Sequence, residues 1–212
     1  EANYNRLMSV ASSTTTATQI KMSLDDDAWG WNVGGLFDVS PSTRIGLSYR
    51  SAIKYKTEGK IKTSGPSAAL NAGASSDAEA DLKLPDTFIM SVTQKLSDKW
   101  EMLGDVSWTG WSSIPKVDIY RASNTGAGTG NGTIAQTLHT DFKDSWRVAL
   151  GANYKYNDAW KLKFGVAYDQ TPVQHASERL VSLPDNDRVW FSFGTQWTPD
   201  KAQRLDFGVS YI

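Results

Sequence analysis

Hydrophobic and polar residues alternate along most of this chain with a period of two, over runs longer than the five or six residues that an average soluble strand needs. The longest run starts at Arg44. Its odd positions are Ile45, Leu47, Tyr49, Ser51, Ile53, Tyr55, Thr57, Gly59 and Ile61, and its even positions include Arg44, Arg50, Lys54, Lys56, Glu58, Lys60 and Lys62. One face is therefore apolar and aromatic, and the other is polar and basic. Trp31 to Val39, Leu82 to Val92, Trp100 to Trp108, Trp146 to Tyr156, Trp160 to Tyr168, Val189 to Trp197 and Leu205 to Tyr211 follow the same rule, and Ala17 to Leu24 is a further candidate. The pattern predicts about nine strands.

Connections between the runs alternate in length. Short turns rich in Pro, Ser, Asn and Asp lie around Pro41, Ser97, Asp158 and Pro199, whereas long outer loops are expected near residues 1–16, 63–80, 121–140 and 170–187. Trp100, Tyr156, Trp160 and Trp197 flank short turns, while Trp108, Trp146 and Tyr168 lie toward the long loops. Two aromatic belts separated by alternating strands, with short turns on one side and long loops on the other, describe an all-β, transmembrane, antiparallel up-and-down β-barrel. Residues 1–212 are read as a single barrel domain that is part of a larger barrel. A soluble sandwich or lipocalin-type barrel is the competing fold, but it predicts shorter strands and gives no reason for aromatics to gather beside turns.

Composition narrows the function. Aromatic residues make up 11% of the chain, with 9 Trp, and these rings favour a boundary between hydrocarbon and water. With 22 basic and 23 acidic residues the net charge is -1, so no overall field recommends nucleic acid as a partner. There are no cysteines, which removes disulfides and thiol chemistry. The two histidines, His139 and His175, fall in expected loops outside any nucleophile or metal motif, so no catalytic residue, metal ligand or cofactor is expected. No basic, apolar leader opens the chain at Glu1, so a secretory signal is absent or has been removed. Asp25-Asp26-Asp27 reads as a solvated turn, because its spacing is not that of a calcium loop. Pro85 and Pro184 remove ladder donors within or beside strand patterns and are expected to mark interruptions in the wall.

Several segments resemble the FadL family of outer-membrane transporters of long-chain fatty acids and other hydrophobic compounds. They are Trp29-Gly30-Trp31-Asn32-Val33-Gly34, Leu47-Ser48-Tyr49-Arg50-Ser51, Leu84-Pro85-Asp86, Phe142-Lys143-Asp144-Ser145-Trp146-Arg147 and Leu183-Pro184-Asp185-Asn186-Asp187-Arg188. The resemblance implies a barrel of about fourteen strands plugged by an N-terminal hatch. It also implies capture of ligand among the outer loops and passive, ligand-gated passage without a cofactor. On this resemblance the hatch, the first strands and the closing strands of the family are expected to fall outside residues 1–212. A bacterial outer-membrane monomer in contact with lipid and lipopolysaccharide is expected, with fatty acids or aromatic hydrocarbons as partners. A general porin for small polar solutes and a surface or adhesion barrel are the alternatives.

A fatty-acid carrier needs an apolar channel and fixed cations, because an unpaired carboxylate in a dry pocket is costly. The resemblance implies that Lys143 binds the carboxylate and, more weakly, that Arg6 partners it. The plain alternatives are a rim lysine paired with Asp141 or Asp144, and a loop arginine. Arg50, Arg147 and Arg188, with Lys54, Lys56, Lys161, Lys163 and Arg204, could line a lumenal basic path. The alternative, which the residue types favour, pairs them with acids such as Glu58, Glu101, Asp105, Asp169 and Asp206.

Overall fold

The computed structural model describes residues 2–15, 18–128, 130–175, 185–200 and 202–212, with the backbone alone for β1, Thr18 and Leu70. Pro184 lies outside them. Among the described residues are thirteen antiparallel strands: β1 (Ala2–Thr15), β2 (Thr18–Ser40), β3 (Thr43–Arg50), β4 (Ile53–Ser64), β5 (Ser76–Leu84), β6 (Thr87–Lys95), β7 (Trp100–Thr109), β8 (Lys116–Arg121), β9 (Ile134–His139), β10 (Ser145–Lys155), β11 (Trp160–Asp169), β12 (Arg188–Trp197) and β13 (Leu205–Tyr211). A short helix, α1 (Ala68–Ala74), joins β4 to β5. The all-β antiparallel class is as expected, whereas the strand count differs from nine for identifiable reasons.

Two expected strands fuse, because the 23 residues of β2 run without a break from Thr18 to Ser40. The Asp25-Asp26-Asp27 run is thus strand and not a turn. Asp26 is nonetheless where the ladder from β2 to β4 stops, and its carboxylate accepts the Lys56 amide at 2.7 Å. Two long expected strands are interrupted. The run from Arg44 breaks after Arg50, where Ser51 exchanges hydrogen bonds with Trp31, its amide donating to the Trp31 carbonyl at 2.9 Å and its hydroxyl accepting the Trp31 amide at 3.0 Å. The run through Leu82 breaks at Pro85, which has no amide to give the ladder.

The expected outer loops also contain structure. Residues 1–16 were expected as loop, yet β1 pairs with β2 from Ala2↔Trp31 to Thr15↔Thr18. Its alternating apolar residues, Ala2, Tyr4, Met8 and Val10, are interrupted by Arg6 and followed by a Ser/Thr run from Ser12, so the pattern is short. The 63–80 stretch holds α1, and 121–140 ends in β9, so His139 belongs to a strand level with Lys116. Gly128, Gly130 and Gly132, with φ of +77°, +108° and +76°, shape the tip before β9.

The chain divides into two compact units. The first comprises Glu1–Trp31, Ser51–Pro85 and Ser113–Asp141. Its strands pair in the order β1–β2–β4–β5–β8–β9. Here alternation works as in a water-soluble sheet: Ile53, Tyr55, Thr57, Ile61 and Thr63 of β4 are buried, and Lys54, Lys56, Glu58, Lys60 and Lys62 are exposed. Tyr55 is 2% exposed and packs with Ala28 and Ile53 against Leu82. Gly59 is required where β2 and β4 approach, because a Cβ there would lie 1.9 Å from the Ser23 carbonyl oxygen.

The second unit comprises Asn32–Arg50, Asp86–Ser112 and Phe142–Ile212. It is an open sheet in the order β2–β3–β6–β7–β10–β11–β12–β13. Its apolar positions point outward: Leu150 is 57% exposed, Phe193 48% and Phe207 60%. A soluble sheet would bury this face, so its exposure across the unit is the signature of a wall that meets lipid. Aromatic residues pair across strands beside the short turns, with ring centroids 4.6 Å apart for Trp100–Tyr154 and 5.8 Å apart for Trp160–Trp197. The turns close through local bonds. Asn157 accepts the amides of Ala159 and Trp160 at 2.9 and 2.8 Å, and Ser97 accepts those of Lys99 and Trp100 at 3.3 and 3.1 Å.

Candidate functional site

At the long-loop end of the second unit, the polar ends of β7, β10, β11 and β12 surround a cleft of about 440 Å³. Its apolar lining is Trp111, Phe142, Pro172 and Val173; hydroxyls come from Ser107, Thr109 and Ser145, and charges from Arg147, Asp169, Asp185 and Arg188. An apolar pocket with a few convergent polar groups is the usual build of a small-molecule site.

The aromatic wall is assembled from two loops. After β7 the backbone enters a 3-10 turn, Trp111–Ser113, and the Trp111 ring meets Phe142 edge-on at 5.8 Å with an interplanar angle of 86°. The Ser112 amide donates to the Asp144 carboxylate at 3.0 Å and so ties the turn to the segment before β10. Bonds from the Ser112 side chain and backbone, then from Trp108, hold the Asp144 carboxyl below its ordinary range.

The opposite wall is a clamp around Thr171, a buried residue just past β11. The Thr171 amide donates to Asp187 at 2.8 Å and its hydroxyl donates to Asp185 at 2.9 Å. Asp187 also accepts the Tyr168 hydroxyl at 2.7 Å. Its carboxyl is held below the ordinary range, first by the Thr171 amide, then by Tyr168, with Lys143 adding a favourable charge. Arg188 completes the clamp with contacts of 3.1 Å to Asp169 and 3.5 Å to Asp185.

The expected site residues are distributed unevenly around this geometry. Lys143 is half-buried between Phe142 and Asp144, and its amide donates to the Pro172 carbonyl at 2.9 Å, which places it beside the cleft. Its charge acts on Asp187, a partner that the sequence reading did not weigh. Arg6 belongs to the first unit, in β1 level with Asp27, and its side chain lies outside the described residues. Arg147 and Arg188 both line the cleft. Arg50 ends β3, exposed and level with Asn32 and Thr87.

Several of the basic residues expected along the lumen are ion-paired. Arg147 contacts Asp105 at 3.1 Å, while Lys163 and Arg204 both reach Asp206, at 2.7 and 2.9 Å. Lys54 and Lys56 occupy the exposed face of β4 in the first unit. Trp111 and Thr171 escaped the sequence reading, since neither falls in an alternating run. The juxtaposition of Trp111 with Gly110, where alternation ends, was the available signal.

An open sheet with an outward apolar face, aromatic residues beside its turns and a polar opposite face defines a piece of an outer-membrane β-barrel. Known proteins agree. The family model described as "Outer membrane protein transport protein (OMPP1/FadL/TodX)" matches residues 3–212, and the chain belongs to that family. It is 31% identical over 200 residues to the long-chain fatty acid transport protein of Salmonella typhi, a match covering 89% of this chain and 44% of that protein. It is 30% identical over 190 residues to outer membrane protein P1 of Haemophilus influenzae, covering 89% and 39%. The chain thus spans less than half the length of these relatives. Among solved structures, a Pseudomonas aeruginosa FadL homologue matches with a TM-score of 0.76 at 20% identity, over 99% of this chain and 52% of that one. The Pseudomonas putida toluene transporter TodX matches at 0.62 and 20%, over 91% and 46%. These structures share the fold, and the protein is one of the bacterial outer membrane.

Proposed function

We propose that the full-length protein carries hydrophobic compounds, long-chain fatty acids or aromatic hydrocarbons, across the outer membrane by passive, ligand-gated diffusion. The cleft at the loop end of the second unit is the observation that carries this reading. It offers an aromatic pair and two further apolar side chains to a ligand, within reach of a few fixed polar groups. Family membership supports the same chemistry, since the relatives' names include a fatty acid transport protein and a toluene transporter. Lys143, beside the cleft, is proposed to meet the polar end of a ligand that has one, and Arg6 is retained as its proposed partner. The reading includes a monomer that works without a cofactor or catalytic step and contacts lipid and lipopolysaccharide, in keeping with the outward apolar face.

Uptake of labelled toluene and oleate by cells lacking the protein, with and without the full-length gene restored, tests the proposal. Restored uptake that falls about two- to twelvefold with Trp111→Ala, at unchanged membrane abundance, is the expected result, because an aromatic contact contributes roughly 0.5–1.5 kcal/mol. Uptake indifferent both to the gene and to Trp111 would overturn it.

A further inference from the structure

We infer that three carboxylates, Asp105, Asp169 and Asp185, set the selectivity of the cleft by occupying its guanidinium groups, so that its depth selects uncharged ligands over carboxylates. The inference rests on the reading of the cleft as a ligand site and deepens it by naming the class of ligand favoured.

Two arginines reach the lining, and at first sight they would invite an anion. Each is already engaged. Arg147 gives Nη1 to Asp105 at 3.1 Å, and Arg188 gives Nη2 to Asp169 at 3.1 Å and to Asp185 at 3.5 Å. Together these five groups carry two positive and three negative charges. A carboxylate moving in would lose its hydration and meet a set that is net negative. Each guanidinium keeps further N–H groups, but turning one toward the anion would weaken its contact with the aspartate it already faces.

An uncharged ligand meets none of these costs. It takes contact from Trp111, Phe142, Pro172 and Val173, and the closed ion pairs present no isolated charge to it. The conclusion does not depend on strong ion pairs. The side chains concerned are 22 to 44% exposed, and pairs of that kind contribute little to stability. The net sign of these described charges disfavours the anion, whatever the strength of each pair.

The test compares toluene and benzoate, which share a ring and differ by an ionised carboxylate at pH 7. Binding of each is measured by equilibrium dialysis on the purified full-length protein in a non-ionic detergent. Wild type is expected to bind toluene, and the ratio of benzoate to toluene affinity is expected to rise about tenfold in Asp169→Asn/Asp185→Asn, which frees Arg188 and removes two negative charges. Asp105→Asn, on a different strand, frees Arg147 and is expected to raise the ratio about threefold without disturbing the Thr171 clamp. Benzoate binding as tight as toluene in wild type, or ratios unmoved in both folded variants, would overturn the selectivity. Absence of toluene binding to wild type would instead overturn the reading of the cleft as a ligand site, and this inference with it.

Discussion

Lysine in place of Leu150 puts a charge at the centre of the face read as meeting lipid. The 11 residues of β10 extend about 36 Å at ~3.3 Å each, or about 28 Å along the membrane normal at a tilt of ~40°. Leu150 is the sixth of them, level with Val166 on β11 and Gly104 on β7, and therefore lies near the middle of the hydrocarbon. A lysine at that depth costs about 2–4 kcal/mol, against roughly 0–1 near either interface. A water-facing site would tolerate it within about 0.5 kcal/mol. The assay is equilibrium folding of the full-length protein into phospholipid vesicles, titrated with urea and followed by tryptophan fluorescence. Leu150→Ala corrects for the lost side chain, and Leu205→Lys, at the start of β13, supplies the shallow comparison. A loss of about 2–4 kcal/mol at Leu150 and under about 1 at Leu205 is expected. Equal, small losses at both would refute a lipid-facing wall.

Two further perturbations probe the first unit and the clamp. Gly59→Ala would drive a Cβ to 1.9 Å from the Ser23 carbonyl oxygen, an atom that cannot swing aside. It should cost at least about 1–3 kcal/mol and speed hydrogen exchange in β2 from Gln19 to Asp25; unchanged protection would contradict the packing described. Because the folded-state carboxyl of Asp187 titrates below its unfolded value, its contribution is fully present above about pH 4 and is lost as pH falls through the lower, folded value. Exchange protection of the Thr171 amide should fall over that acidic window and become insensitive to it in Asp187→Asn; an identical pH profile in the variant would contradict the clamp.

Period-two alternation revealed the strands of the second unit and which residues share a face, because side-chain direction follows directly from the pleat. Alternation could not say what each face meets. Tyr55 and Leu150 both occupy apolar positions in regular runs, yet one is 2% exposed and the other 57%. What separates them is the wall or core around each, a tertiary property. Breaks were partly visible: Pro85 announces one through its missing amide, whereas the break after Arg50 depends on Ser51 reaching Trp31, twenty positions away. β1 was missed because Arg6 interrupts the alternation of Ala2, Tyr4, Met8 and Val10 and a Ser/Thr run follows, leaving its hairpin pairing along β2 to define it. For the cleft, Arg147, Arg188 and Lys143 were recognisable as residues in motifs. Their carboxylate partners were foreseen only in part, with Asp105 and Asp169 anticipated but Asp185 and Asp187 not. Trp111 and the Thr171 clamp arise from loops whose course no short-range pattern encodes.

The most direct test of the account is transport by the full-length protein reconstituted into liposomes, with influx of a labelled hydrophobic compound and ion conductance recorded on the same preparation. The account predicts protein-dependent influx of toluene or oleate that declines with Trp111→Ala, together with little steady ionic current. Protein-free and protein-bearing vesicles taking up these compounds equally, or a large open-channel conductance with no hydrophobic influx, would contradict it.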